Sequence, residues 1–485
     1  MLKEIKSSYI VKELFSFLNK KQQLNMIIYN KQFQNIFEVD LGYYKKISGK
    51  YKIGEKTGKG KEYIFNTNIL VFEGEYLKGK KSGKGKEYDI DYFGKLILIF
   101  EGEYLNGERN GKGKEYNKYN RKLRFEGEYL NGKKNGKGKE YNSDNKLKFK
   151  GEYLNGKRWN GVGYHNYKIK DGQGHIKEYD DFGNLDFEGE YLNGERNGKG
   201  KEYYYNGKLK FEGEYLNGEK HGKGKEYYYN AKLKFEGEYL NGKRWNGIGY
   251  HNNKIEYKIK DGQSHIKEYN DYGYLDFEGD YLNGEKNGKG KEYDFYENLK
   301  YEGEYLNGKR NGKGREYYEF LGKLKFEGEY SNGERTNGKE YYKNGELKFE
   351  GNYINKNWYG NGKEYYEYGN KLRFEGQYLN GERIGKGKEY KYNNGELEFE
   401  GEYLNGEKNG KGKEYYEYGK LKYEGEYLNG ERYGKGKEYN YYGELEFEGE
   451  YMNGKKWNGK GKEYYSNGKL KFEGEYLNGK WNEKI

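Results

Sequence analysis

The chain has 485 residues, with 79 Gly and 64 Tyr but no Pro and no Cys, and its 92 basic and 80 acidic side chains leave a net charge of only +12. Without cysteine there is no disulfide framework and no thiolate metal site, and an aromatic content of 19% sets the chain apart from disordered polar sequences. No stretch approaches the roughly 18 apolar residues of a membrane span, and no apolar run follows Lys3, Glu4 and Lys6 to make a secretory leader, so the expected location is cytoplasmic, peripheral at a membrane at most.

Residues 1–42 break the pattern of everything that follows: no glycine precedes Gly42. Ile10, Leu14, Phe17 and Leu18 fall on one helical face; Leu24, Ile27 and Ile28 form a second stripe, and Phe33, Ile36 and Phe37 a third. Asn19 marks the break between the first two, which predicts two or three short helices. The stretch from Ile10 to Leu18, with Leu24 to Tyr29 behind it, is similar to an F-box. That resemblance implies docking onto the adaptor subunit of a ubiquitin ligase through Ile10, Leu14, Phe17, Leu18, Leu24, Ile27 and Ile28. The Leu-Pro opening and the closing Trp of that family are absent. The alternative is a helical cap over the first open strand, which a repeat array requires.

From residue 43 to 485 one unit recurs. Phe-Glu-Gly or a close variant begins at Phe72, Phe100, Phe125, Phe149, Phe187, Phe211, Phe235, Phe277, Tyr301, Phe326, Phe349, Phe374, Phe399, Tyr423, Phe447 and Phe472, mostly 23 to 25 residues apart. A degenerate copy starts near Ile47. In the unit Lys208 to Asn230, Leu209, Phe211, Gly213 and Tyr215 alternate with Lys210, Glu212 and Glu214, the period of a strand with one apolar face. Asn217-Gly218 opens a short loop, and Gly222 to Tyr228 reads as a second strand. Asn206-Gly207 suits a type I′ turn into the next unit. The fold class is therefore all-β: an elongated antiparallel meander of about 16–17 hairpin repeats with a short α-helical N-terminal cap. Rings of Phe211, Tyr215 and Tyr227 are expected over the glycines, although strict alternation puts Tyr227 on the face of Lys223 and Lys225 unless a bulge intervenes.

Phe211-Glu-Gly213, Gly218, Gly222 and Gly224 together resemble the MORN repeat (membrane occupation and recognition nexus). Tyr204 to Leu209 is also similar to the MORN variant of antitoxin-like repeat proteins. The resemblance runs from about residue 45 to 481. It implies scaffolds, membrane tethers or oligomerisation rods, and an association with phospholipids.

Glu212 and Glu214 face Lys223 and Lys225 across the strands as weak ion pairs. Such alternation of sign excludes the continuous basic track of a nucleic-acid groove. The loop after Asn-Gly carries a cation in fourteen units: Lys81, Arg109, Lys134, Arg158, Arg196, Lys220, Arg244, Lys286, Arg310, Arg335, Arg383, Lys408, Arg432 and Lys456. These form either a basic edge for anionic lipid headgroups or an acidic partner, or a solvated rim. Paired carboxylates copied in nearly every unit are structural rather than catalytic, and Gly-Lys-Gly-Lys lacks the Ser or Thr and the helix of a phosphate loop. No catalytic, cofactor or metal residue is assigned.

Two long units, 149–186 and 235–276, nearly duplicate each other and hold four of the five histidines. Two His with Asp171 or Asp261 give an incomplete metal-ligand set. Asp-Gly reads as a further hairpin turn, so each insert is expected to be an extra or lengthened hairpin that a partner grips. The last unit, Phe472 to Trp481, is read as one strand, which leaves an end for homo-dimerisation. The function expected is a non-enzymatic scaffold for protein partners. The alternatives are anionic phospholipid binding through the basic edge and an F-box-like substrate adaptor.

Overall fold

The computed structural model describes residues 50–54, 56–64, 67, 69–164, 167–465 and 468–483. The expected N-terminal helices and their docking face, Ile10 to Ile28, lie outside these residues. Two compact units part within the strand Leu233–Leu240. In the first unit eleven strands, from Lys50–Gly54 to Lys168–Ile169, pair in sequence order as one antiparallel sheet. Five more, from Gly174–Tyr179 to Glu219–Tyr227, continue that order. In the second unit Lys243–His251 pairs with Lys254–Ile259. Nineteen strands from Ser264–Tyr269 to Lys480–Glu483 then form one antiparallel sheet. No α-helix occurs among the described residues.

The unit Leu209–Leu216 and Glu219–Tyr227 shows how the sequence makes this sheet. Asn217 and Gly218 have φ of 51° and 88°, so Leu-Asn-Gly-Glu is the two-residue type I′ hairpin. The turn into the next unit is of another kind. Of Asn206 and Gly207 only the glycine has positive φ, and Gly207 donates to the Tyr204 carbonyl at 2.8 Å while Tyr204 donates to that of Lys208 at 2.9 Å. That is a longer turn ending in a left-handed glycine, not the type I′ turn expected there.

The register sets Phe211 opposite Glu226, Glu212 opposite Lys225, Gly213 opposite Gly224 and Tyr215 opposite Lys220. The inner face thus carries Phe211, Gly213, Tyr215, Lys220, Gly224 and Glu226. The outer face carries Glu212, Glu214, Lys223, Lys225 and Tyr227. Alternation holds for Tyr227, whose hydroxyl donates to Glu212 Oε1 at 2.8 Å on the outer face. Only two rings per repeat cover the glycines.

Those two rings are the core. Phe211 is fully buried and meets Tyr215 edge-on at 5.5 Å and Tyr239 at 5.3 Å. The same alternation of Phe and Tyr runs through the second unit from Phe277 to Tyr451. Edge-to-face rings at this separation attract beyond their area burial. A Cβ on Gly224 would lie 2.6 Å from Phe211 Cζ, so glycine is required there by the ring laid over it. Repeats are also stitched through their turns: the Gly132 N–H donates to the Arg109 carbonyl at 2.9 Å, and Gly156 to Lys134 at 2.8 Å.

Candidate functional site

The cations expected along a loop edge lie inside the repeat instead. Arg109, the second residue of its strand, turns onto the inner face and covers the Phe100 ring at 3.9 Å. Its Nη2 donates to Glu87 Oε2 of the preceding repeat at 2.5 Å, and its Nη1 to Glu115 Oε1 at 2.9 Å. The Tyr104 hydroxyl donates to the other oxygen of Glu87 at 2.8 Å. Phe, Tyr, cation and Glu thus close one polar ladder over the aromatic core.

The same contact recurs at each predicted position. Lys81, Lys134, Lys220, Lys286 and Lys408 hold Nζ about 4 Å over Phe72, Phe125, Phe211, Phe277 and Phe399. Arg196, Arg310, Arg335, Arg383 and Arg432 do so with their guanidinium carbons over Phe187, Tyr301, Phe326, Phe374 and Tyr423. Arg158, Arg244 and Lys456 stand slightly farther, at 4.9, 5.0 and 5.3 Å from Phe149, Phe235 and Phe447. Cation–π attraction and half-buried ion pairs both act here. Burial would raise the Glu140 carboxyl, but Arg158 and Lys134 outweigh it and hold it at about 2. In one repeat that lacks the cation, Trp358 takes its place: the indole stacks on Phe349 at 4.3 Å and 1°, and its N–H donates to Glu340 at 3.2 Å.

The outer face is a different surface. One lane pairs its charges, as in Lys139 with Glu126 at 3.0 Å and Lys437 with Glu448 at 3.1 Å, and tyrosines such as Tyr141 and Tyr415 donate to its glutamates. In the neighbouring lane the glutamates turn back to backbone: Glu103, Glu128, Glu304 and Glu426 accept from the N–H of Lys112, Lys137, Lys313 and Lys435 at 3.1–3.3 Å. The side chains of those lysines and of Lys411 are exposed, and among the described residues they form no ion pair on this face. Between the lanes runs a floor of paired glycines. In the first unit it forms a groove of about 1900 Å³ from Ile53 to Tyr164, and in the second one of about 1430 Å³ from Glu350 to Glu450.

A family model described as the MORN repeat matches eleven stretches: 72–92, 100–121, 125–146, 187–208, 211–230, 277–294, 301–319, 374–396, 399–417, 423–440 and 447–469. This chain carries MORN repeats. No curated protein matches it. Among solved structures, the Tc holotoxin pore of Photorhabdus luminescens is 11% identical over 95% of this chain and 26% of that one, with a TM-score of 0.13. The TcdB2-TccC3-Cdc42 crystal structure is 10% identical over 93% and 24%, also with a TM-score of 0.13. The chain spans about a quarter of the length of those two chains. At that TM-score neither likeness bears on fold or function.

The two long units depart from the MORN pattern without protruding. In the first, Asp171-Gly172 makes a hairpin turn, with φ of 53° and 72° and Lys170 bridged to Gln173. Ile169 and Ile176 on either side are buried. Ile176 pairs with Gly189 and so stands where a regular MORN repeat has its second-strand glycine. The strand before it, Lys168–Ile169, has no Phe whose ring would need the space. Ile266 repeats this arrangement opposite Gly279. The inserts expected as gripped protrusions are thus compressed repeats folded into the meander. His265 bonds Asp280 at 2.8 Å and His251 stacks on Tyr269 at 3.7 Å. Among the described residues no cluster of three His, Cys, Asp or Glu is placed to hold a metal. The last repeat has a second strand, Lys480–Glu483, paired with Leu470–Leu477, where one strand was expected.

Two surface features escaped the sequence reading. A leucine ends the first strand of most repeats, and Leu105 and Leu404 are half exposed at 51% and 53%. Rings also occupy the opposite turn tips, from Tyr119 in the first unit to Tyr418 in the second, 86% and 78% exposed. For the rings the signal lay in the variable turn residues, which a search for the invariant positions of a repeat passes over.

Proposed function

We propose that this MORN-repeat chain is a non-catalytic scaffold that carries protein partners along its outer face. The observation that supports this reading is the division of charge. The fourteen cations expected to meet lipid are engaged in the inner ladder, whereas the outer face repeats one pattern of exposed lysine, glutamate and leucine beside an open glycine groove. A surface with both signs interspersed and apolar residues between favours protein contacts over a uniformly anionic surface. The paired strand carboxylates recur in register with the repeat, which fits a structural role.

The test is chemical crosslinking of the full chain in its native cells through amines, with partner sites mapped by mass spectrometry. The expected crosslinks run from Lys112, Lys137, Lys313, Lys411 and Lys435, and a Lys411→Glu/Lys435→Glu variant loses partners held near those positions. Recovery of the chain without crosslinked partners, or of the same partners by the variant, contradicts the reading.

A second reading, peripheral binding to anionic phospholipid, now depends on these outer lysines rather than on the predicted edge. Sedimentation with phosphatidylserine vesicles at physiological salt, lost in the same variant, would support it. An F-box-like adaptor role rests on residues 1–40 alone. Its check is whether deleting them abolishes co-purification of a ubiquitin-ligase adaptor.

A further inference from the structure

On the outer face of the second unit one run of strands breaks the charge pattern. The first lane alternates throughout: Glu327 lies opposite Lys339, Lys339 opposite Glu350, Glu350 opposite Lys363 and Lys363 opposite Glu375. The neighbouring lane alternates on either side of the run, with Lys313 opposite Glu329 before it and Lys386 opposite Glu402 after it. Between them four consecutive strands carry amides in that lane, Asn337, Asn352, Asn361 and Gln377. The three asparagines are exposed, and Asn337 donates to Asn352 Oδ1 at 2.7 Å. Tyr359 and Ile384 stand opposite Asn352 and Gln377.

Charges laid out this way complement themselves. In the hairpins flanking the run, the first strand brings Glu and the second Lys or Arg. Consider a half-turn about an axis that runs along the strands, midway between the two strands of one hairpin. It lays a second copy face to face and exchanges first strands with second, so that each Glu meets a cation in both lanes. Any hairpin admits such an axis, and the amides select one. The centre of an interface excludes water and is depleted of charge, because a charge buried there must be desolvated. The midpoint of the amide run falls between Asn352 and Asn361, in the hairpin Leu347–Ile354 and Asn357–Tyr365. Amides both donate and accept, so Asn352 answers the partner's Asn361, and Asn337 the partner's Gln377. Next outward, Glu329 meets the partner's Lys386 and Lys313 the partner's Glu402. The six strands from Leu324–Ser331 to Glu382–Tyr390 cover about 29 Å by about 27 Å. That is about 800 Å² per copy, the size of a standard interface. Farther out the twist of the two sheets parts the faces, which leaves Lys411 and Lys435 open to other proteins.

We propose that the second unit forms a two-fold dimer with a second copy of this chain, outer face to outer face, centred between Asn352 and Asn361. Such an isologous contact closes on itself and stops at two copies. The inference goes beyond the scaffold reading, since it does not depend on what else the outer face carries.

Sedimentation of the full chain over a concentration series at physiological salt reads the dimer. Glu329→Lys sets Lys against the partner's Lys386 on both sides of the axis and should weaken the dimer at least about tenfold. Lys386→Glu alone should do the same. The two together restore opposite charges and should restore the dimer. Within one chain these residues are five strands apart, about 24 Å, so rescue reports a contact between copies. Hydrogen exchange of strands 324–390 should match the parent in all three variants, so that the loss is one of contact and not of fold. A monomer across the whole series, a dimer that Glu329→Lys leaves intact, or a weakened dimer that Lys386→Glu does not restore overturns the proposal. If partners still crosslink to Lys411 and Lys435 in that event, the scaffold reading stands without this dimer.

Discussion

Gly412→Ala adds one methyl group and should destabilise its repeat. Its Cβ would lie 2.4 Å from Phe399 Cζ, 2.6 Å from Cε2 and 3.2 Å from Tyr427 Cε2. Carbon atoms rest at about 3.5–4.0 Å, so the ring must retreat by about 1 Å. It has little room: Phe399 is wedged between Tyr403 at 5.6 Å and Tyr427 at 5.2 Å, with Lys408 Nζ 4.2 Å above it. Overpacking of this kind costs about 1–3 kcal/mol. The reduced freedom of the unfolded chain returns about 0.4–1 kcal/mol, and the expected net loss is about 1–2 kcal/mol. Phe399→Ala alone should cost about 3–5 kcal/mol. In that background the new methyl group meets only Tyr427 Cε2, at 3.2 Å, a contact that the neighbouring space lets relax, and Gly412→Ala should be neutral or stabilising by up to about 1 kcal/mol. The chain already contains a natural version of this pair, since Ile176 replaces glycine where the Phe is missing. Repeat arrays open locally. The assay is therefore hydrogen exchange of strands Leu397–Leu404 and Glu407–Tyr415, with Leu299–Leu306 as the internal control. Additive effects of the two substitutions would refute rings over glycines as the reason for the glycine pattern.

Three further outcomes follow from the inner ladder. Arg432→Gln leaves Glu414 and Glu438 short of a cation and should cost about 1–3 kcal/mol in urea unfolding, whereas Lys411→Gln on the outer face should stay within about 0.5 kcal/mol. Trp358→Arg restores the usual cation over Phe349 and should cost less than about 1.5 kcal/mol, against about 3–5 kcal/mol for Trp358→Ala; thermal melts of the two variants decide this. Stability should fall at both ends of the pH scale. Burial raises the carboxyls of Glu87, Glu140 and Glu414, but their arginines outweigh it and leave all three lowered, Glu140 to about 2; their contribution is present above the unfolded value of about 4.3 and is lost as pH falls through each lowered folded value. Tyrosines are raised, first by burial and then by glutamate, Tyr203 to about 12; their contribution is present below about 10 and is lost as pH rises through the folded value. A melting temperature that rises between pH 4 and pH 2 would contradict the sign.

The meander was readable because period-two alternation and repeated Asn-Gly are local signals. The face of Tyr227 followed from alternation alone, and the bulges of these strands do not alter it. The turn types were exchanged: Asn-Gly occurs at both edges, and the dipeptide does not reveal whether its asparagine takes positive φ, as Asn217 does and Asn206 does not. The position of the fourteen cations was hidden for a deeper reason. Lys and Arg after a turn look like rim residues in sequence. What draws them inward is a Phe ring with glycines beside it and a glutamate from the neighbouring repeat. Those partners meet only when strands pair, so the clue was Glu87 and Arg109, 22 residues apart. The compressed repeats were misread because Ile176 replaces a glycine whose ring partner is also gone.

The most direct measurement is amine-reactive footprinting of the folded full chain, read lysine by lysine in the mass spectrometer. Lys81, Lys134, Lys220, Lys286 and Lys408 should react slowly under their rings and carboxylates, and Lys112, Lys137, Lys313, Lys411 and Lys435 should react fast. Equal rates for the two sets, or faster reaction of the first, would return those cations to an exposed edge and contradict the division of charge on which the scaffold reading rests.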